Sequence, residues 1–124
     1  METILLVDDD ARILAPLQVL LEAEGYRVLL ALNGEAAVSV TDIEHPDLIV
    51  TDWMMPVLDG VAFCRRLKAN RATARIPVVM LTAVVPPASA EVLWNALLRK
   101  PAPIARLIDV IRDLLALSRS RRPH

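Results

Sequence analysis

Ile4-Leu5-Leu6-Val7-Asp8-Asp9-Asp10 sets four aliphatic side chains in an unbroken row and ends them in three carboxylates. A short continuous apolar run of this kind reads as a strand buried on both faces, because a strand with one wet face would alternate. The cadence returns. Leu48-Ile49-Val50 leads to Asp52, Pro77-Val78-Val79-Met80-Leu81 leads to Thr82, and Val28-Leu29-Leu30-Ala31 forms a further run. Leu97-Leu98-Arg99, before Lys100, is a weaker fifth. Between these runs the apolar residues fall at helical spacing: Ile13, Leu14, Leu17, Leu20 and Leu21; Ala36, Ala37, Val40 and Ile43; Val61, Phe63, Cys64 and Leu67. Ile104, Leu107, Ile108, Ile111, Leu114 and Leu115 make a strongly amphipathic last helix.

Five strands alternating with helices predict a parallel sheet covered on both faces, since right-handed crossovers lay a helix over each join. Gly25 is the expected C-cap of the first helix, and Asn33-Gly34 turns the chain into the second. Pro16 removes one hydrogen bond inside the first helix at about 3 kcal/mol, so a kink or a late helix start is expected there. Residues 1–117 read as one domain, with 118–124 a flexible tail or the start of a linker.

Hydrophobic residues make up 55% of the chain and aromatics 3%, so the core must be aliphatic. No apolar run reaches the roughly 18–20 residues of a membrane span. Met1 leads into a strand-like run rather than a signal peptide, and the single Cys64 has no internal partner. A cytoplasmic domain without a membrane segment is expected. The net charge of −1 hides an asymmetry: residues 1–60 carry 12 acidic and 2 basic side chains, residues 61–124 carry 3 and 12. Scattered arginines such as Arg65, Arg66, Arg71 and Arg75, without interleaved aromatics, read as a solvated face or docking patch and argue against nucleic acid.

Chemistry-bearing residues gather at strand ends. Asp8 and Asp9 follow the first strand, Asp52 the third, Thr82 the fourth and Lys100 the fifth. In an open α/β sheet, ligands bind outside the carboxyl ends of the strands where strand order reverses. With the order 2-1-3-4-5, strands 1 and 3 are neighbours about 4.8 Å apart, and Asp8, Asp9 and Asp52 converge. Three clustered carboxylates call for a hard divalent cation such as Mg²⁺. Asp52 then serves as nucleophile in phosphoryl transfer, with the cation and Lys100 neutralising the developing charge.

Ile4 to Asp10, Asp47-Leu48-Ile49-Val50-Thr51-Asp52-Trp53-Met54-Met55-Pro56 with Asp59-Gly60, Pro77 to Ala83 and Lys100-Pro101 together resemble the receiver domains of bacterial two-component response regulators. The resemblance covers residues 2 to about 117. It implies a flavodoxin-like (βα)5 three-layer sandwich with sheet order 2-1-3-4-5. It implies Asp52 as phosphoacceptor and a Mg²⁺ site, also open to Mn²⁺, formed by Asp8, Asp9, Asp52 and the Met54 backbone carbonyl. Thr82 would hydrogen-bond the phosphoryl group, Lys100 would pair with it, and the Lys100–Pro101 peptide would be cis. The donor would be a histidine kinase or histidine phosphotransfer protein. The output would be a downstream target or a covalently linked domain in a longer chain, from a monomer or weak dimer.

Two departures stand out. The fifth strand has Leu97 where the family usually has an aromatic. The stretch from Thr82 to Lys100 is about four residues short, roughly one helical turn, and begins Val84-Val85-Pro86-Pro87. A shortened or missing fourth helix is predicted.

Other readings weigh less. A hydrolase with an Asp nucleophile would want a second acid two residues on, where Met54 stands, so a turnover enzyme is not expected. A pseudo-receiver acting as a phosphorylation-independent binding module is the alternative, favoured only by Leu97 and the short fourth helix. Apolar Met54 and Val84 near the site suggest slow self-dephosphorylation. Gly60 reads as a turn residue, Asp10 as a helix cap, Cys64 as core packing, and His45 and His124 as exposed bystanders. Trp53 lies beside Asp52, whereas Trp94 reads as packing for the shortened segment.

Overall fold

Three of the five strands are buried at every position, and they are the three inner ones. A computed structural model describes residues 1–55, 57–87 and 91–121. In it β1 (Thr3–Val7), β3 (Leu48–Asp52) and β4 (Val78–Thr82) are fully buried. The outer strands β2 (Arg27–Ala31) and β5 (Ala96–Arg99) each have one open edge and mix buried with exposed positions. All pairings are parallel, in the order β2-β1-β3-β4-β5. Leu6 sits opposite both Leu30 and Val50, and Asp52 opposite Leu81.

Alternate side chains feed two cores, as the period of two along a strand requires. Ile4, Leu6, Leu48, Val50, Val79 and Leu81 meet α1 (Ala11–Ala23) and α4 (Ile104–Ser120) on one face. Leu5, Val7, Ile49, Val78 and Met80 meet α2 (Gly34–Glu44) and α3 (Gly60–Ala69) on the other. This is the flavodoxin-like three-layer arrangement. In α4 the buried residues Leu107, Ile111 and Leu115 recur every four positions, and each such burial contributes about 1.5–3 kcal/mol. Among the described residues no helix is long and apolar enough to cross a membrane.

Helix ends follow local chemistry. Asp10, Asn33 and Asp59 accept backbone N–H bonds from Arg12, Ala36 and Ala62, capping α1, α2 and α3. Gly25, with φ 95°, lies one residue beyond the Glu24 C-cap of α1. Its N–H donates to Glu22 and that of Tyr26 to Leu21, a Schellman closure. His45 closes α2 in the left-handed conformation, φ 48°, so the loop residue of the sequence reading has a backbone role.

One expectation needs adjusting. Of the kink or late start expected at Pro16, the late start does not occur: Asp10 fixes α1 at Ala11 and the helix runs on through Pro16, whose missing N–H leaves the carbonyl of the exposed Arg12 to be hydrated. The last helix runs to Ser120, with an Arg119–Glu2 ion pair of 3.1 Å near its end; residues 122–124 lie outside the described residues. The third strand ends at Asp52, as expected. The fourth-helix prediction holds: residues 83–87 and 91–95 contain no helix, while 88–90 lie outside the described residues. Two adjacent prolines and two β-branched residues make that segment a poor helix.

Candidate functional site

Strand pairing carries Asp8 and Asp52 to the same end of the sheet. β1 is flanked by β2 on one side and β3 on the other, so the rim above β1 and β3 is the point of reversed strand order. There, one carboxylate oxygen from each of Asp8, Asp9 and Asp52 lies within 4.8 Å of the others. Asp8 and Asp52 are buried and Asp9 is exposed. Lys100, one residue past β5, reaches across with Nζ 3.1 Å from Asp52 Oδ1 and 3.4 Å from Asp8 Oδ2. Its own N–H donates to the Thr82 carbonyl at 2.8 Å, which anchors the start of the Lys100–Pro101 turn to the end of β4. That peptide bond is cis, as the resemblance implies.

Charges at this rim do not balance. Burial pushes the Asp8 carboxyl above its ordinary range and the Asp52 carboxylate adds to the effect, whereas the Asp10 N–H, 2.9 Å from Asp8 Oδ1, and Lys100 oppose it. Burial pulls the Lys100 ammonium down, but its bond to Asp52 and the charges of Asp52 and Asp8 outweigh this, leaving it raised. One ammonium faces three carboxylates. The oxygen-only donor set and its excess negative charge fit a hard divalent cation. Among the described residues the Met54 carbonyl accepts no hydrogen bond, so its lone pairs are available.

Thr82 is completely buried, and its hydroxyl is engaged twice by one neighbour. Oγ1 donates to the Val84 carbonyl at 2.9 Å and accepts the Val84 N–H at 3.1 Å. Thus the fold gathers Asp8, Asp9 and Asp52, brings Lys100 to Asp8 and Asp52, and puts Thr82 one rung beyond Asp52, with its hydroxyl turned to its own loop. Pro56 lies outside the described residues.

Two contributors were underread in the sequence. A Cβ on Gly60 would stand 2.5 Å from the Asp52 carbonyl oxygen, 2.8 Å from Met80 Sδ and 3.1 Å from Trp53 Cα, so glycine lets α3 start against the acceptor's backbone. Gly60 also donates its N–H to the Trp53 carbonyl at 2.9 Å. The indole of Trp53 meets that of Trp94, ring centres 5.3 Å apart and planes tilted by 52°. Neither contact is visible from spacing, because each joins residues set by tertiary packing. Cys64 is core, as expected, and burial pushes its thiol up to about 11.

Residues 4–112 match the response regulator receiver domain family. Over 82 residues the chain is 46% identical to the phosphate regulon transcriptional regulatory protein PhoB of Pseudomonas aeruginosa, spanning 66% of this chain and 36% of that protein. The chain spans about a third of the length of the curated relatives it matches. The signal receiver domain of a signal transduction histidine kinase from Syntrophus aciditrophicus superposes with a TM-score of 0.87 at 31% identity, covering 100% of this chain and 96% of that one. The receiver domain of the sensor histidine kinase PA1611 of Pseudomonas aeruginosa, which has a magnesium ion coordinated in its active-site cleft, superposes with a TM-score of 0.84 at 30% identity, covering 93% and 98%. Fold, acidic rim and likeness agree: the chain belongs to the response regulator receiver domain family of two-component signalling.

Proposed function

We propose that the chain is a phosphorylation switch whose acceptor is Asp52 and whose donor is a phosphohistidine on a histidine kinase or phosphotransfer protein. In the reaction an Asp52 carboxylate oxygen bonds to phosphorus while the phosphorus–nitrogen bond breaks. The imidazole nitrogen keeps the electron pair, and the product is an acyl phosphate. The observation that carries this reading is the Lys100 ammonium bridging Asp52 and Asp8, because it sets a fixed positive charge beside the carboxylate that would attack. Preorganised charge of this kind is the main contribution a protein makes to phosphoryl transfer.

Asp8, Asp9, Asp52 and the Met54 carbonyl would hold Mg²⁺, for which Mn²⁺ could substitute. Bound there, the metal supplies positive charge against the oxygens of the transferring group. Lys100 moves from bridging two carboxylates to pairing with the acyl phosphate. The Thr82 hydroxyl exchanges the Val84 carbonyl for a phosphoryl oxygen, which frees the start of the β4–β5 connection. Output follows as a shift between two populations, read by a separate target or a linked domain. The chain promotes its own phosphorylation and dephosphorylation and turns over no other substrate. It acts in the cytoplasm as a monomer or weak dimer. Apolar Met54 and Val84 cannot position an attacking water, so the acyl phosphate persists well beyond seconds.

Intact mass after incubation with Mg²⁺ and acetyl phosphate tests the reading. A gain of one phosphoryl group is expected in the native chain, and none in Asp52→Asn or with a chelator present. No gain in the native chain would instead favour a phosphorylation-independent binding module, and steady phosphate release would favour a hydrolase.

A further inference from the structure

At the opposite end of the sheet from the acidic rim, the structure holds a groove of about 560 Å³. It lies between the α3–β4 connection and the last turns of α4, beside the loop that enters β3. Its size falls within the range of small-molecule sites, about 300–1,000 Å³. Part of the lining is apolar, from Ile76, Pro77, Leu114 and Leu117. Leu117 is 48% exposed, so an aliphatic side chain near the end of α4 is left open to this space.

Another part is cationic, with Lys68, Arg75 and Arg121. Among the described residues, neither the Arg75 nor the Arg121 side chain has a hydrogen-bond or ion-pair partner. Lys68 donates to the Ala74 carbonyl at 2.9 Å, which holds its ammonium in place and leaves two of its three protons free. Asp47 supplies the opposing charge, and its Oδ2 already accepts the Thr3 N–H at 2.8 Å. Among the described residues, three cations against one carboxylate leave the groove positive. Cations near a helix C-terminus complement its dipole, which would account for Lys68 and Arg121. It does not account for Arg75, which sits in a connection beyond the end of α3.

We propose that this groove binds a small organic anion: an acidic head against Arg75, Arg121 and Lys68, and an apolar body against Ile76, Leu114 and Leu117. Among the described residues no aromatic ring lines it, so the body is aliphatic rather than a stacked base. An occupant would tie the α3–β4 connection to the end of α4 and stabilise both.

The probe is hexyl phosphate, titrated into the ¹⁵N-labelled 124-residue chain with a chelator present, so that no metal draws the anion to the acidic rim. Saturable amide shifts at Arg75, Ile76, Asn95 and Leu117, with a rise in Tm, are expected. Inorganic phosphate and hexanol, the head and body alone, should each bind at least about tenfold more weakly. The exposed double variant Arg75→Gln, Arg121→Gln should keep its Tm without ligand and lose about tenfold in affinity. Equal shifts with inorganic phosphate would mean an adventitious ion only and would overturn the proposal. So would undiminished affinity in the variant, or no saturation by hexyl phosphate.

Discussion

Two crossovers in one sheet solve the same problem with unequal means. β3 reaches β4 through α3, which buries Phe63, Cys64 and Leu67 against the strands. β4 reaches β5 with no helix among the described residues, and the same core receives only the half-buried Leu93, Trp94 and Leu97 from that side. Yet each strand pair keeps four residues in register. Residues on both sides also deliver to one rim: Asp52 ends β3, and Lys100, just past β5, meets it at 3.1 Å. The site is therefore a product of strand ends. Cover over the crossover decides how firmly that part of the molecule is held, not where its terminal groups point.

If this is right, the thinly covered side should matter as much to the chemistry as the thickly covered one. Lys100→Ala should slow phosphorylation of Asp52 by about a hundredfold, the usual loss when one preorganised charge or donor is removed. The check is the initial rate of mass gain with acetyl phosphate. A rate within a factor of a few of the native chain would detach β5 from the site. Stability should show the opposite asymmetry. Phe63 is completely buried, so Phe63→Ala should cost about 3–5 kcal/mol in urea unfolding. Trp94→Ala, from a larger but half-buried ring, should cost roughly half that. Equal costs would show that the short connection is a packed layer in its own right.

The contrast also marks what could be read from the sequence. Strands β1, β3 and β4 were legible because burial on both faces leaves a continuous apolar run, and the rim followed from asking which residues end those runs. The shortened or missing fourth helix was legible from Pro86 and Pro87. What escaped were close approaches and helix bounds. Gly60 looked like a turn residue, yet the atoms that demand glycine belong to Asp52 and Met80, far enough along the chain that no local pattern records them. Trp53 and Trp94 were read separately and touch each other. Pro16 predicted a kink or a late helix start by its local cost, but the helix starts on time, because the Asp10 cap and the burial of Leu14, Leu17 and Leu21 outweigh one lost hydrogen bond.

Gly60 sharpens the comparison from the thick side. A methyl there meets the Asp52 carbonyl oxygen at 2.5 Å, and a backbone oxygen cannot swing away as a side chain can. Gly60→Ala should therefore push α3 off the end of β3, costing about 1–3 kcal/mol. Because that displacement passes through Asp52, phosphorylation should slow as well, whereas Phe63→Ala should unfold the chain more easily yet leave the rate of the folded fraction near native. Measuring both quantities in both variants separates a loss of cover from a displaced acceptor.

The smallest effect tests how tight the cover over α3 is. Burial lifts the Cys64 thiol from an ordinary 9.0 to about 11. The fold thus holds it neutral at pH values where an unfolded chain would ionise it. The stability tied to that neutral thiol is fully present below about pH 9, falls as the unfolded chain gains charge, and is gone once pH passes the folded value near 11. At about pH 10 the loss should be of order 1 kcal/mol. Other groups titrate in this range, so the informative quantity is a difference between variants. Cys64→Ala leaves a small cavity at any pH but has no thiol to ionise, so its deficit relative to the native chain should narrow by that amount between about pH 8 and pH 10. A deficit that stays constant would mean the thiol ionises as readily in the folded chain as in the unfolded one, and that α3 covers β3 and β4 no more tightly than the short connection covers β4 and β5.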